Sequence, residues 1–144
     1  MIAAVIVIAA GFAVVYGTYY VGMRRAATPV RTHQLKPGDC IQQWWGETVL
    51  PPVVMRARCD GPHFGEVFAI LTLPDTQDYP GDVALKRFGD NCGGKFFEYA
   101  PDIPEGPIFK VAIGYPRAEG WANGDRSVVC AAISKGERWS SIRD

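Results

Sequence analysis

Cys59, His63 and Glu66 are crowded into the run Cys-Asp-Gly-Pro-His-Phe-Gly-Glu, the densest concentration of reactive side chains in the chain. A thiol, an imidazole and a carboxylate at that spacing offer three chemistries. They could begin a zinc site, although zinc needs a third and fourth ligand and another cysteine would have to converge on it. His63 could serve as base to a nucleophilic Cys59, which requires a free thiolate. Or Cys59 is half of a disulfide, and His63 closes the Asp60-Gly61-Pro62 turn through hydrogen bonds to backbone groups or to Glu66.

The other cysteines favour the third reading. Cys40, Cys59, Cys92 and Cys130 form an even, widely spaced set with no CxxC pair, the pattern of a disulfide framework in an oxidising compartment. The expectation is therefore no metal, no cofactor and no catalytic residue. Four cysteines allow three connectivities. Cys40 and Cys59 fall on consecutive strands, while Cys92 lies on a helical stripe facing the sheet where the strand of Cys130 should run. The expected bridges are Cys40–Cys59 and Cys92–Cys130.

The elements that would position these residues follow from pattern. Residues 53–59 and 66–73 are rich in Val, Ile and Phe and flank a Gly-Pro turn, which reads as strand, turn, strand. Lys36-Pro37-Gly38-Asp39 is a turn leading into a first strand at Cys40. Asp82 is a good N-cap for a helix to about Tyr99. Its apolar stripe is Leu85, Phe88, Cys92, Phe96 and Tyr99, and Gly89, Gly93 and Gly94 weaken it by about 1 kcal/mol each relative to Ala. Residues 108–115 and 126–134 read as further strands, and the tail from Lys135 as polar apart from Trp139 and Ile142. The fold class expected is α+β: an antiparallel sheet of four to five strands, one main helix packed on it, and a transmembrane helix before both.

That last element is the uncharged run of residues 2–22, ended by Arg24-Arg25. It is long enough to span a bilayer core of ~30 Å as a helix, and Tyr16, Tyr19 and Tyr20 sit where aromatic rings favour the headgroup interface. A cleaved signal peptide would need a basic n-region and a shorter apolar core, so an uncleaved anchor is the better reading. The arginines follow the run, which by the positive-inside rule would leave the rest of the chain in the cytoplasm. The cysteines argue the reverse and outweigh a modest charge bias. The expected organisation is an anchor (1–23), a linker (24–34) in which His33 is solvated, and an extracytoplasmic domain (35–144), at the cell membrane in a single pass.

Composition excludes some partners. With 15 basic and 15 acidic residues, nothing marks a nucleic-acid surface. Gly89 to Lys95 has the spacing GxxxxGK of a phosphate-binding loop, but Phe96 stands where a Ser or Thr must hold magnesium. Asp75, Asp78 and Asp82 do not have the spacing of a calcium loop. No small-molecule substrate is indicated.

Several motifs taken together, Gly38-Asp39-Cys40, then V-x-x-x-x-C-D-x-P-H-x-x-E-V through Cys59, His63 and Glu66, then Tyr79-Pro80-Gly81-Asp82, then W-x-x-G-D-R-x-V-x-C through Trp121, Asp125, Arg126 and Cys130, resemble the septum formation family. The resemblance spans about residues 35–134. It implies an actinobacterial envelope protein with a membrane anchor, an extracytoplasmic domain and a link to cell division. It brings no catalytic residue and no ligand. The partner implied is an envelope or division protein, or a cell-wall component. The adjacent pair Trp44-Trp45 is the expected partner surface, because neighbouring side chains on an extended chain point to opposite faces and one ring is left exposed.

Overall fold

The computed structural model describes residues 13–18, 27–42, 46, 48–76, 78–103 and 108–144. Six strands, β1 (Thr28–Arg31), β2 (Cys40–Ile41), β3 (Val53–Ala57), β4 (His63–Thr72), β5 (Phe109–Gly114) and β6 (Ser127–Arg138), form one sheet. Their order is β1-β3-β2-β4-β6-β5, with every pairing antiparallel. Among the described residues the sheet is accompanied by α1 (Asp82–Gly89), α2 (Cys92–Tyr99), the short α3 (Ala118–Ala122) and a 3-10 turn at Thr32–Gln34, and residues 13–18 are also helical. The α+β class stands.

β6 carries seven consecutive buried residues, Val128 to Ser134, as expected of a central strand covered on both faces. On one face, Phe68, Val128, Cys130 and Ala132 meet Leu85, Cys92 and Phe96 of the helices. Phe96 stacks edge-on against Phe68 at 5.4 Å between centroids and lies 5.7 Å from Phe109. The opposite face collects Ile41, Val54, Val67, Ala131 and Ile133, capped by Leu35 and Leu50 from connecting segments.

The second core is enclosed because the sheet curls back on itself. Leu50 N–H donates to Ile113 O at 2.8 Å and Ile113 N–H to Thr48 O at 3.0 Å, a parallel bridge centred on Val49 and Ile113. The same run continues into β3, so one length of chain ties the β5 edge to the opposite side of the sheet. The bridge covers the β5 edge at Ile113, and glycine lines the tight inner face. A Cβ built on Gly65 would stand 2.6 Å from Ile133 Cδ1 and 2.8 Å from Ile41 Cγ1.

The structure corrects the sequence reading in several places. The sheet has six strands, and the sixth, β1, lies in the stretch read as linker. It is a four-residue edge strand containing Pro29, which an edge tolerates because an outward N–H is not needed. The single helix is two. Asp90 N–H donates to Arg87 O and Asn91 N–H to Phe88 O, three-residue closures that tighten and end the first helix. Gly81 is its N-cap; the Asp82 carboxylate instead accepts from Tyr79 Oη and Arg117 Nη1. β6 runs on to Arg138, and Ile142 in the supposedly polar tail is buried in the helix-side core. His33 is about half exposed, with Nδ1 3.7 Å from Asp125 Oδ2. Among the described residues no helix is long and apolar enough to cross a membrane; most of residues 2–22 lies outside them, as do Trp44 and Trp45.

Gly65→Ala is expected to lower stability by about 1–3 kcal/mol through overpacking between Ile41 and Ile133, read as a shift in denaturant midpoint with an unchanged slope.

Candidate functional site

The structure bonds Cys40 to Cys59 and Cys92 to Cys130, with Cα separations of 5.3 and 5.6 Å. No free cysteine remains. The loops closed are 19 and 38 residues apart in sequence, for which chain entropy gives stabilisation of about 3 and about 4 kcal/mol. The first bridge ties β2 to the turn after β3. The second ties α2 to the central strand, so the helix docks covalently despite its glycines.

Cys40 and Glu66 are register partners on β2 and β4, and His63 opens β4. Their sulfur, nitrogen and carboxylate atoms all lie within 4.8 Å of one another. The cysteine in this cluster is Cys40, not Cys59; sequence proximity picked the wrong end of the bridge. His63 and Glu66 are essentially inaccessible, at 0% and 1% exposure.

His63 Nδ1 lies 2.8 Å from Gly61 O. A carbonyl only accepts, so Nδ1 carries the hydrogen and closes the turn. Nε2 is buried without a partner among the described residues. Burial holds the imidazole below its ordinary range, partly offset by the Gly61 carbonyl and by Glu66, which favour the charged ring.

Glu66 is held by three donors. Oε1 accepts from Tyr99 Oη at 2.7 Å and Ser141 Oγ at 2.8 Å, and Oε2 from the Ile142 N–H at 2.7 Å. Burial and the hydrogen bond to Glu66 push the Tyr99 hydroxyl far up, so it stays a donor. The Arg143 guanidinium lies 4.6 Å from the Tyr99 ring centroid, and Arg138 Nη2 donates to Ser141 O at 3.0 Å, fixing the tail. Sequence reading missed Tyr99, Ser141 and Ile142 as partners of Glu66. Tyr99 was visible only as a stripe residue, and Ile142 only as one of two apolar residues, with Trp139, in the tail.

Around the turn, Arg58 forms a two-pronged pair with Asp60. That hydrogen bond holds the exposed Asp60 carboxyl below its usual range. The Gln42 amide donates to Pro62 O. Gly38 N–H donates to Val67 O and Val67 N–H to Asp39 O, which locks the Gly38-Asp39-Cys40 segment to β4.

Trp121, Asp125 and Arg126 build a corner. Arg126 lies 3.8 Å over the buried Trp121 ring and donates to Trp121 O at 2.7 Å. Gly124, at φ +86, ends α3, a conformation that favours glycine. Asp125 Oδ1 accepts from Ser127 N–H at 3.0 Å and from its hydroxyl at 2.6 Å, launching β6. These residues are bound to one another and do structural work. Beside them a groove of about 440 Å³ runs past His33, Leu50, Pro116 and Asp125; none of the Cys40–His63–Glu66 cluster lines it.

The arrangement cannot act as a thiol hydrolase, because both sulfurs near His63 are bonded and the base is sealed from solvent. Two outcomes follow. Glu66→Gln replaces an anionic acceptor and should cost about 2–3 kcal/mol, with loss of hydrogen-exchange protection at the Ile142 amide. His63 binds a proton less readily folded than unfolded, so the unfolded state gains protons first as pH falls below 6.5. The melting temperature should fall as pH drops through that range, with a shallower slope in His63→Gln.

Comparison of the chain with protein-family models, with curated proteins and with solved structures finds no match.

Proposed function

We propose that this chain is a non-enzymatic, membrane-anchored envelope domain that acts outside the cytoplasm by binding a protein or cell-wall partner, contributing to septum formation. The observation that carries the reading is the bonding of all four cysteines in two bridges. Such pairs persist in oxidising compartments and are rare in reducing ones. The uncharged run of residues 2–22 supplies an anchor of the right length, and the motif set resembling the septum formation family supplies the link to division.

The second reading, an envelope metal-binding protein or enzyme centred on Cys59, His63 and Glu66, is favoured by the convergence of Cys40, His63 and Glu66. It is weakened by the bridge, which leaves no thiolate.

Reporter fusions at the C-terminus test location. Alkaline phosphatase activity supports the reading, and activity only from a cytoplasmic reporter defeats it. For the binding surface, the variant Trp44→Ala with Trp45→Ala should stay folded and lose recruitment to division sites. Wild-type localisation and crosslinking in that variant would remove the Trp pair as the interface.

A further inference from the structure

The Cys40–Cys59 bridge stands against two groups that already carry the supports of metal ligands. A histidine ligand commonly donates its second ring N–H to a backbone carbonyl, which fixes tautomer and orientation, and a ligating carboxylate is itself hydrogen-bonded. His63 Nδ1–H donates to Gly61 O, so its lone pair is on Nε2, the buried nitrogen with no partner among the described residues. Glu66 is oriented by Tyr99, Ser141 and the Ile142 amide, and Oε2 carries only one of those three bonds. A buried nitrogen left unpaired among the described residues calls for an explanation.

We propose that reduction of the Cys40–Cys59 bridge opens a site for a thiophilic divalent cation, of which Zn²⁺ is the type, held by Cys40, Cys59, His63 Nε2 and Glu66. A tetrahedral ion with bonds of about 2.0–2.3 Å sets its donors roughly 3.3–3.8 Å apart. Cys40 Sγ, a His63 ring nitrogen and a Glu66 carboxylate oxygen lie within 4.8 Å of one another, and Cys59 is bonded to Cys40 with Cα atoms 5.3 Å apart. In the oxidised chain the bridge uses the two sulfurs and the donor set is incomplete, so the disulfide is the gate.

The chemistry balances. A dithiol reductant delivers two electrons and two protons to the sulfur–sulfur bond, yielding two cysteine thiols and its own cyclic disulfide. Cation binding then releases both thiol protons, and the ion is held by two thiolates, a neutral imidazole and a carboxylate. Reoxidation by disulfide exchange expels the ion. The β2–β3–β4 corner is thereby stapled in either redox condition, by a covalent bond in one and by a coordinated ion in the other. This does not depend on the envelope reading, and neither fails with the other.

Titration of the full chain with Co²⁺ alone, before and after reduction by a phosphine, tests the site. Expected are tetrahedral cobalt bands with thiolate charge transfer, appearing only after reduction, saturating at a single ion per chain and displaced by Zn²⁺. The variant Cys92→Ser with Cys130→Ser should keep them. His63→Gln should weaken binding at least about 10-fold, and Tyr99→Phe, which keeps every ligand, by about 10-fold. If His63→Gln does not fold, Tyr99→Phe decides. Absence of the bands after reduction, their survival in Cys40→Ser, equal affinity in Tyr99→Phe, or their loss with Cys92 and Cys130 each overturns the proposal.

Discussion

A carboxylate buried to 1% exposure, that of Glu66, constrains the rest of this fold. Such a group is tolerated inside a protein only when donors replace the water it has lost. Glu66 sits on β4, but its donors come from the end of α2 and from the chain's last residues. One strand position therefore dictates where a helix must finish and where the tail must return. Ile142 follows from the same demand: its amide serves the carboxylate while its side chain fills the helix-side core. Polar satisfaction and apolar burial are thus met by one residue.

The two cores on either side of the sheet are secured differently. The helix-side core relies on α2, whose Gly93 and Gly94 make it a poor helix in isolation, and the Cys92–Cys130 bridge together with the Phe68–Phe96–Phe109 contacts compensates. The inner core relies on curvature. The residue run from Thr48 into β3 pairs first with β5 and then with β2 and β1, and glycine at position 65 lets Ile41 and Ile133 close over it. The Cys40–Cys59 bridge lies where these two systems meet, on the short strand β2 between β3 and β4.

Much of this was legible in the chain. Alternation and turn chemistry marked β3, β4, β5 and β6, because each is an apolar run bounded by Gly or Pro. The cysteine pairing followed from which elements those runs placed side by side. What was not legible is long-range. β1 is four residues with a proline, too short to show a period, and it exists only because β3 offers it a ladder. The break at Asp90–Asn91, made by three-residue closures, lies within a continuous helical stripe, and Gly89 just before it lies against the Ile113 side chain, a contact no local pattern encodes. The candidate cluster was half visible: His63 and Glu66 are close in sequence, but Cys40 reaches them only through strand pairing, and the donors to Glu66 lie 33 to 76 residues away.

The energetics of His63 do not close on a turn alone. One hydrogen bond to Gly61 contributes about 1 kcal/mol net, while a buried polar atom left unpaired costs about 1–3 kcal/mol. An apolar side chain of similar volume would fill the same space without the Nε2 deficit, and Gln42 already holds the turn through Pro62 O. In the oxidised chain the ring is therefore at best neutral for stability. Beside the ring stand the Cys40 sulfur and the Glu66 carboxylate, each with an atom within 4.8 Å of a His63 ring nitrogen. A sulfur locked in a bridge gives Nε2 no strong partner; in the site proposed above, a cation held by the freed thiolates would supply one.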